Sequence, residues 1–168
     1  MKKITILFSI LLLGLLVGCS TNQKEITSNS QVEIQEPSSL SQGEIDALYL
    51  ALSDEYKAEA TYLQVIEDFG EVKPFTNIMA AEQKHAEKLI ILLEKYGLEV
   101  PENPYIGAIQ SYTSIQEACG VGVQAEIENV ELYDQLLSST EREDILRVYR
   151  ALQRASQENH LPAFENCS

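Results

Sequence analysis

Tryptophan is absent from the 168 residues, histidine and methionine occur twice each, and cysteine three times. With only 8 glycines and 5 prolines, the chain is too poor in turn formers for a loop-rich or turn-repeat fold. Basic residues are scarce as well, 12 against 26 acidic ones, for a formal net charge of −14. That balance excludes a nucleic-acid binder and a protein docked electrostatically on anionic lipid, since both need basic surface. No C-x-x-C pair occurs, so a thioredoxin-like redox motif and a cysteine zinc site are excluded too. Apolar residues nevertheless make up 45% of the chain, enough for a packed core and too many for wholesale disorder. A small, acidic, helical domain remains.

The basic residues are not evenly spread. Lys2 and Lys3 precede an apolar run from Ile4 to Val17, too short to span a bilayer comfortably and typical of a secretory signal. Leu16-Val17-Gly18-Cys19 resembles a bacterial lipobox, in which the cysteine is acylated and becomes the new N-terminus. Residues 1–18 are therefore expected to be a lipoprotein signal peptide and Cys19 the lipidation site. The protein would then be extracytoplasmic and anchored to the cell membrane through its N-terminal lipid, since several acyl chains hold where one does not. Residues 19–43, rich in Ser, Gln, Asn, Glu and Thr, read as a flexible tether before a domain at 44–168. Cys119 and Cys167, an even pair in an oxidising compartment, are expected to form a disulfide.

Four stretches repeat apolar residues every three or four positions, the period of an amphipathic helix. The first covers 44–69, with Ser41 and Glu44 spaced as a capping box and Gly70 as a stop. The second follows Pro74 and ends at Gly97. The third starts at Ser114-x-x-Glu117 and runs through Tyr133 to Leu137, and the fourth follows Thr140-x-x-Glu143 and reaches Phe164. Short links join helices one and two and helices three and four into antiparallel hairpins. The link at 98–113 reaches roughly 50 Å when extended, whereas a 23-residue helix is about 35 Å long. It can therefore run the length of the bundle, and one long crossover between helices two and three is the ferritin-like arrangement of an all-α four-helix bundle.

Each apolar stripe is interrupted at mid-helix. Glu55 and Glu59 break the first, Glu82 and His85 the second, Glu126 the third and His160 the fourth. A buried carboxylate costs several kcal/mol unless paired or metal-bound, so four interruptions at compatible heights call for a cation. Glu82 and His85 lie three residues apart on one helix face and can bind the same ion. An oxygen-rich set with two imidazoles suits iron or manganese. Tyr62 and Tyr133, one or two turns away, read as core tyrosines or as hydrogen-bonding partners of the ligands.

Several strings resemble a known family: Asp54-Glu55-Tyr56-Lys57-Ala58, Phe75-x-Asn77-Ile78-x-x-x-Glu82-Gln83-x-His85, Tyr96-Gly97-Leu98, Val121-Gly122, Asp144-Ile145-x-x-Val148-Tyr149 and Asn159-His160-Leu161-x-Ala163-Phe164. Together they are similar to the uncharacterised ferritin-like domain family of bacteria and archaea, over roughly residues 44–166. The resemblance implies a ferritin-like fold and a dinuclear metal site, held by Glu55, Glu82, His85, Glu126 and His160. It departs in helix four, where Gln157 stands in place of a second glutamate three residues before the last histidine: either Glu59 or Gln157 completes the shell, or one ion is bound weakly, or only one ion binds.

Two functions follow from this reading. One is a di-iron or di-manganese protein oxidising Fe(II) with oxygen or peroxide. The other is a structural or interaction lipoprotein that binds metal structurally or not at all and meets another envelope component through its acidic exterior. An acylated N-terminus argues against a cage and leaves room for a homodimer. Register links the cysteines to the metal residues: in an antiparallel hairpin level residues have a constant sum, and Glu126 with His160 gives the same sum as Cys119 with Cys167.

Overall fold

The computed structural model describes residues 39–167, so the expected signal peptide, Cys19 and most of the tether lie outside the described residues. The described residues are all-helical, with no strand among them: α1 (Gln42–Phe69), α2 (Phe75–Lys95), α3 (Ile115–Leu136), α4 (Glu143–Ala155), a π-helical turn (Ser156–His160) and α5 (Leu161–Glu165). None of these helices is long and apolar enough to cross a membrane.

The helix ends follow local chemistry. Ser41 and Glu44 form a complete capping box, with the serine hydroxyl accepting from the Glu44 N–H and the Glu44 carboxylate from the Ser41 N–H. Gly70, at φ +84°, ends α1 in a conformation that disfavours other residues. At α3 the Ser114-x-x-Glu117 spacing gives only half a capping box: the Ser114 hydroxyl accepts from the Glu117 N–H, while the Glu117 carboxylate turns back to the Thr113 N–H and hydroxyl. Thr140 does not cap α4. Its hydroxyl donates to Glu44 at 2.6 Å, tying the start of α4 to the start of α1, and α4 begins at Glu143 with Arg142 as its N-cap.

The crossover runs along α1. The Tyr49 and Tyr56 hydroxyls donate to the carbonyls of Glu99 and Pro101, the Asn103 amide to the Tyr56 carbonyl, and the Tyr112 N–H to Asp68. The link thus starts beside the N-terminal half of α1 and delivers α3 at its C-terminal end. α1 and α4 point one way, α2 and α3 the other.

The fourth expected helix is not uniform. Leu152, Ser156, His160 and Phe164 are all buried and spaced by four, which in a straight α-helix would drift about 120° around the axis. The wider turn at Ser156–His160, where the Leu161 N–H bonds the Ser156 carbonyl five residues back, keeps all four on the inner face. Pro162 has no N–H to restore the ordinary ladder immediately afterwards.

The core is divided. One apolar cluster gathers Leu48, Leu52, Leu89, Leu93, Ile145, Tyr149 and Leu152, and a second gathers Val65, Phe75, Ile78, Ala118 and Phe164. Between them lies a layer of buried polar side chains. Cys119 and Cys167 close the second end at disulfide distance, with Cα atoms 5.7 Å apart.

Candidate metal centre

The polar layer takes at least one residue from each long helix. α1 supplies Glu55, α2 supplies Glu82 and His85, α3 supplies Glu126 and Asn129, and the π-helical turn supplies His160; none is more than 6% exposed. Glu82 stands at the centre. Its Oε2 lies 2.8 Å from His85 Nδ1 and its Oε1 2.9 Å from His160 Nδ1. The two imidazoles stack with centroids 5.4 Å apart. Each has a second carboxylate, Glu55 at 3.2 Å from His85 and Glu126 at 3.4 Å from His160.

Two triads result, Glu55–Glu82–His85 and Glu82–Glu126–His160, each with one ligand atom per residue within 4.8 Å of the others. The tyrosines hold the outer carboxylates. Tyr133 donates its hydroxyl to Glu55 Oε1 at 2.5 Å and Tyr62 to Glu126 Oε1 at 2.6 Å, leaving Oε2 of each turned to its histidine.

The electrostatics are those of a crowded acidic site. Burial, reinforced by the charge of Glu82, pushes the Glu55 carboxyl up to about 7. Burial also pushes Glu82 upward, but the imidazoles of His160 and His85 outweigh it and hold this carboxyl below its ordinary value. Burial alone would lower both histidines; the facing carboxylates instead raise His85 to about 9 and His160 to about 10. Desolvation drives the hydroxyls of Tyr62 and Tyr133 well above the usual phenol range. His160 Nδ1, although within 2.9 Å of Glu82, is not aligned to hydrogen-bond any neighbour and is a buried nitrogen without a hydrogen-bond partner. A donor atom stranded among carboxylates fits a metal ligand better than a settled hydrogen bond.

Glu59 and Gln157 do not join. Glu59 is half-buried at the edge of the α1–α2 hairpin, where its carboxylate accepts from Gln83 and Asn103. Gln157 is exposed, because the π-helical turn rotates the position three residues before His160 away from the site. Asp54 carried no role in the sequence reading. It lies beside the triads, accepts from the Asn129 amide at 2.8 Å, and is raised to about 6 by burial.

An all-helical bundle built around two buried carboxylate–histidine triads is the class these features define. The family described as "Uncharacterized protein domain (DUF2202)" matches residues 44–167, and the chain belongs to it. It is also similar to the uncharacterized protein MJ0754 of Methanocaldococcus jannaschii, 29% identical over 140 residues that cover 74% of this chain and 75% of that protein. The crystal structure of that hypothetical protein resembles the present fold with a TM-score of 0.67 at 26% identity, over 74% of this chain and 79% of the other.

Proposed function

We propose that this chain is a ferritin-like protein that binds two ions of iron or manganese in the polar layer and oxidises Fe(II) with oxygen or peroxide. The observation that carries the reading is Glu82, which offers one oxygen to each of two stacked histidines, each backed by its own glutamate. Glu55 and His85 would hold one ion, Glu126 and His160 the other, and Glu82 both. The up-down-down-up order with its long crossover supports the ferritin-like assignment. Two adjacent redox-active ions supply the electrons and Lewis acidity for such chemistry.

The chain's own contribution is binding and exclusion. Three carboxylates and two imidazoles are oxygen-rich enough to favour iron or manganese, and they are fewer than two ions can take, so small molecules have room to bind. The tyrosine hydroxyls fix the outer carboxylate rotamers by holding their protons on Oε1 of Glu55 and Glu126. The apolar clusters above and below close the layer off along the bundle axis.

The same reading places the protein outside the cytoplasm, held by lipid on Cys19 at the end of a tether. The lipobox-like sequence supports this, and so does a cysteine pair at disulfide distance, which persists in oxidising compartments. Fatty-acid labelling of the expressed protein, lost in Cys19→Ala, checks the anchor. Anaerobic loading with Fe(II), Mn(II) or Zn(II), followed by elemental analysis and oxygen uptake, checks the centre. Two ions per chain and oxygen consumption by the iron form are expected; no retained metal with any of the three ions overturns it and leaves a structural or interaction lipoprotein.

A further inference from the structure

A cavity of about 170 Å³ opens between α1 and α3. Lys57, Gln124 and Glu128 at its mouth are exposed, whereas Glu82 and Glu126 on its floor are each 2% exposed. The cavity thus leads from the surface to the shared carboxylate and to the triad containing His160. Its lining carries four carboxylates, Asp54, Glu82, Glu126 and Glu128, against the single ammonium of Lys57.

Asn129 supplies an independent observation. It is 5% exposed and lines the same cavity. Its Nδ2 donates to Asp54 Oδ2 at 2.8 Å and faces Glu55 Oε1 at 3.4 Å, so the neighbouring carboxylates fix which end of the amide points where. The other end, Oδ1, is buried with no hydrogen-bond partner. An unpaired buried acceptor has lost its water without gaining a partner, and its lone pairs demand a donor or a cation. Carboxylates together with an amide oxygen are the ligands of hard divalent cations, and a cavity of this volume admits an ion with part of its water shell.

We propose that the cavity is the entry port for divalent metal, in which Asp54, Glu128 and Asn129 Oδ1 hold a partly hydrated cation before it passes to Glu126 and Glu82. The port rests on the reading that the two triads bind metal. It gives the layer a direction: the Glu82–Glu126–His160 triad meets the incoming ion first, and the Glu55–Glu82–His85 triad fills through it.

Co(II) absorption in stopped flow, with the metal-free protein, tests the port without oxygen chemistry. Asp54→Asn combined with Glu128→Gln removes two charges from the port and retains all five side chains of the triads. We expect loading at least about tenfold slower than wild type, reaching the same two ions per chain. Glu87→Gln with Glu94→Gln makes the same change of net charge on the exposed face of α2, and its loading rate should stay within about twofold of wild type. Equal rates in port variant and wild type, or equal slowing by the α2 pair, overturn the port while the metal centre stands. Absence of Co(II) uptake by the wild type overturns the centre itself, and the port with it.

Discussion

A carboxylate 2% exposed between two imidazoles is stable in either of two ways: the imidazoles carry protons, or metal ions replace those protons. The two conditions have opposite pH dependence. In the metal-free protein His85 and His160 are raised from 6.5 to about 9 and 10. A raised histidine contributes stability that is complete below its unfolded value of 6.5 and disappears as pH climbs through the folded value. Glu55, raised to about 7, adds to the fall up to about pH 7, since folding favours its protonated form, whereas the share of Asp54, raised to about 6, is lost below pH 6. The melting temperature of metal-free protein, measured in chelator, should therefore fall from pH 6 to pH 9.5. Even 1 kcal/mol corresponds to about 3–5 °C for a domain of this size. A melting temperature that is flat or rises over this range would show the histidines already neutral.

Removing the central pair separates the two states further. Glu82→Ala with His85→Ala should lower metal affinity by orders of magnitude, while the metal-free fold stays as stable as wild type or gains stability, because buried charge is replaced by apolar groups. Unchanged metal stoichiometry would refute the assignment. The five triad residues were readable in the sequence because each interrupts an otherwise apolar stripe. Asp54 was not, since a carboxylate one residue off the seam looks like any solvated acid. Asn129 stood in the seam, but an amide there carries no sign of which partners will claim its nitrogen.

At the scale of elements, ends were legible and phase was not. Serines, glycines and a proline mark the limits of α1, α2 and the start of α3 because caps and breakers act within a few residues. The π-helical turn depends on the packing of a whole helix against its neighbour, and a spacing of four residues fits a broad α-helical stripe equally well. That ambiguity is why Gln157 was expected inside. Beyond the turn the register with α3 is regular: Glu126 meets His160, Gly122 meets Phe164, and Cys119 meets Cys167, at steps of three or four residues along both arms of the helical hairpin. Gly122 makes this approach possible, since a Cβ there would lie 2.6–2.8 Å from the Phe164 ring. That ring cannot swing aside easily; it is 1% exposed and packed against Tyr62 and Phe75 at centroid distances of 5.0 and 5.2 Å. Gly122→Ala gains about 1 kcal/mol of helix propensity and loses about 1–3 kcal/mol to overpacking. A net loss in thermal stability is expected, together with weaker metal binding at the Glu126–His160 triad. A more stable variant would mean that α5 can shift without cost.

At the scale of the whole molecule, the two triads are not equally braced. Glu55, Glu82 and His85 belong to the long α1–α2 hairpin, whose partners pack along most of their length. His160 sits on a π-helical turn followed by a five-residue helix. What fixes that end to α3 is the Phe164 contact and the cysteine pair, which closes a loop 48 residues apart in sequence. On the chain-entropy account a loop of that size restricts the unfolded state by about 4 kcal/mol. Cys119→Ser with Cys167→Ser should accordingly lower the melting temperature by more than about 10 °C. The loss should also be selective. With α5 free to fray, the triad of Glu126 and His160 loosens while that of Glu55 and His85 keeps its geometry, so a Co(II) titration of the variant should show one tight ion and one weak ion. Equal weakening at both would mean that Glu82 transmits the disturbance across the layer. Two unaltered sites would mean that packing around Phe164 alone holds the C-terminal end in place.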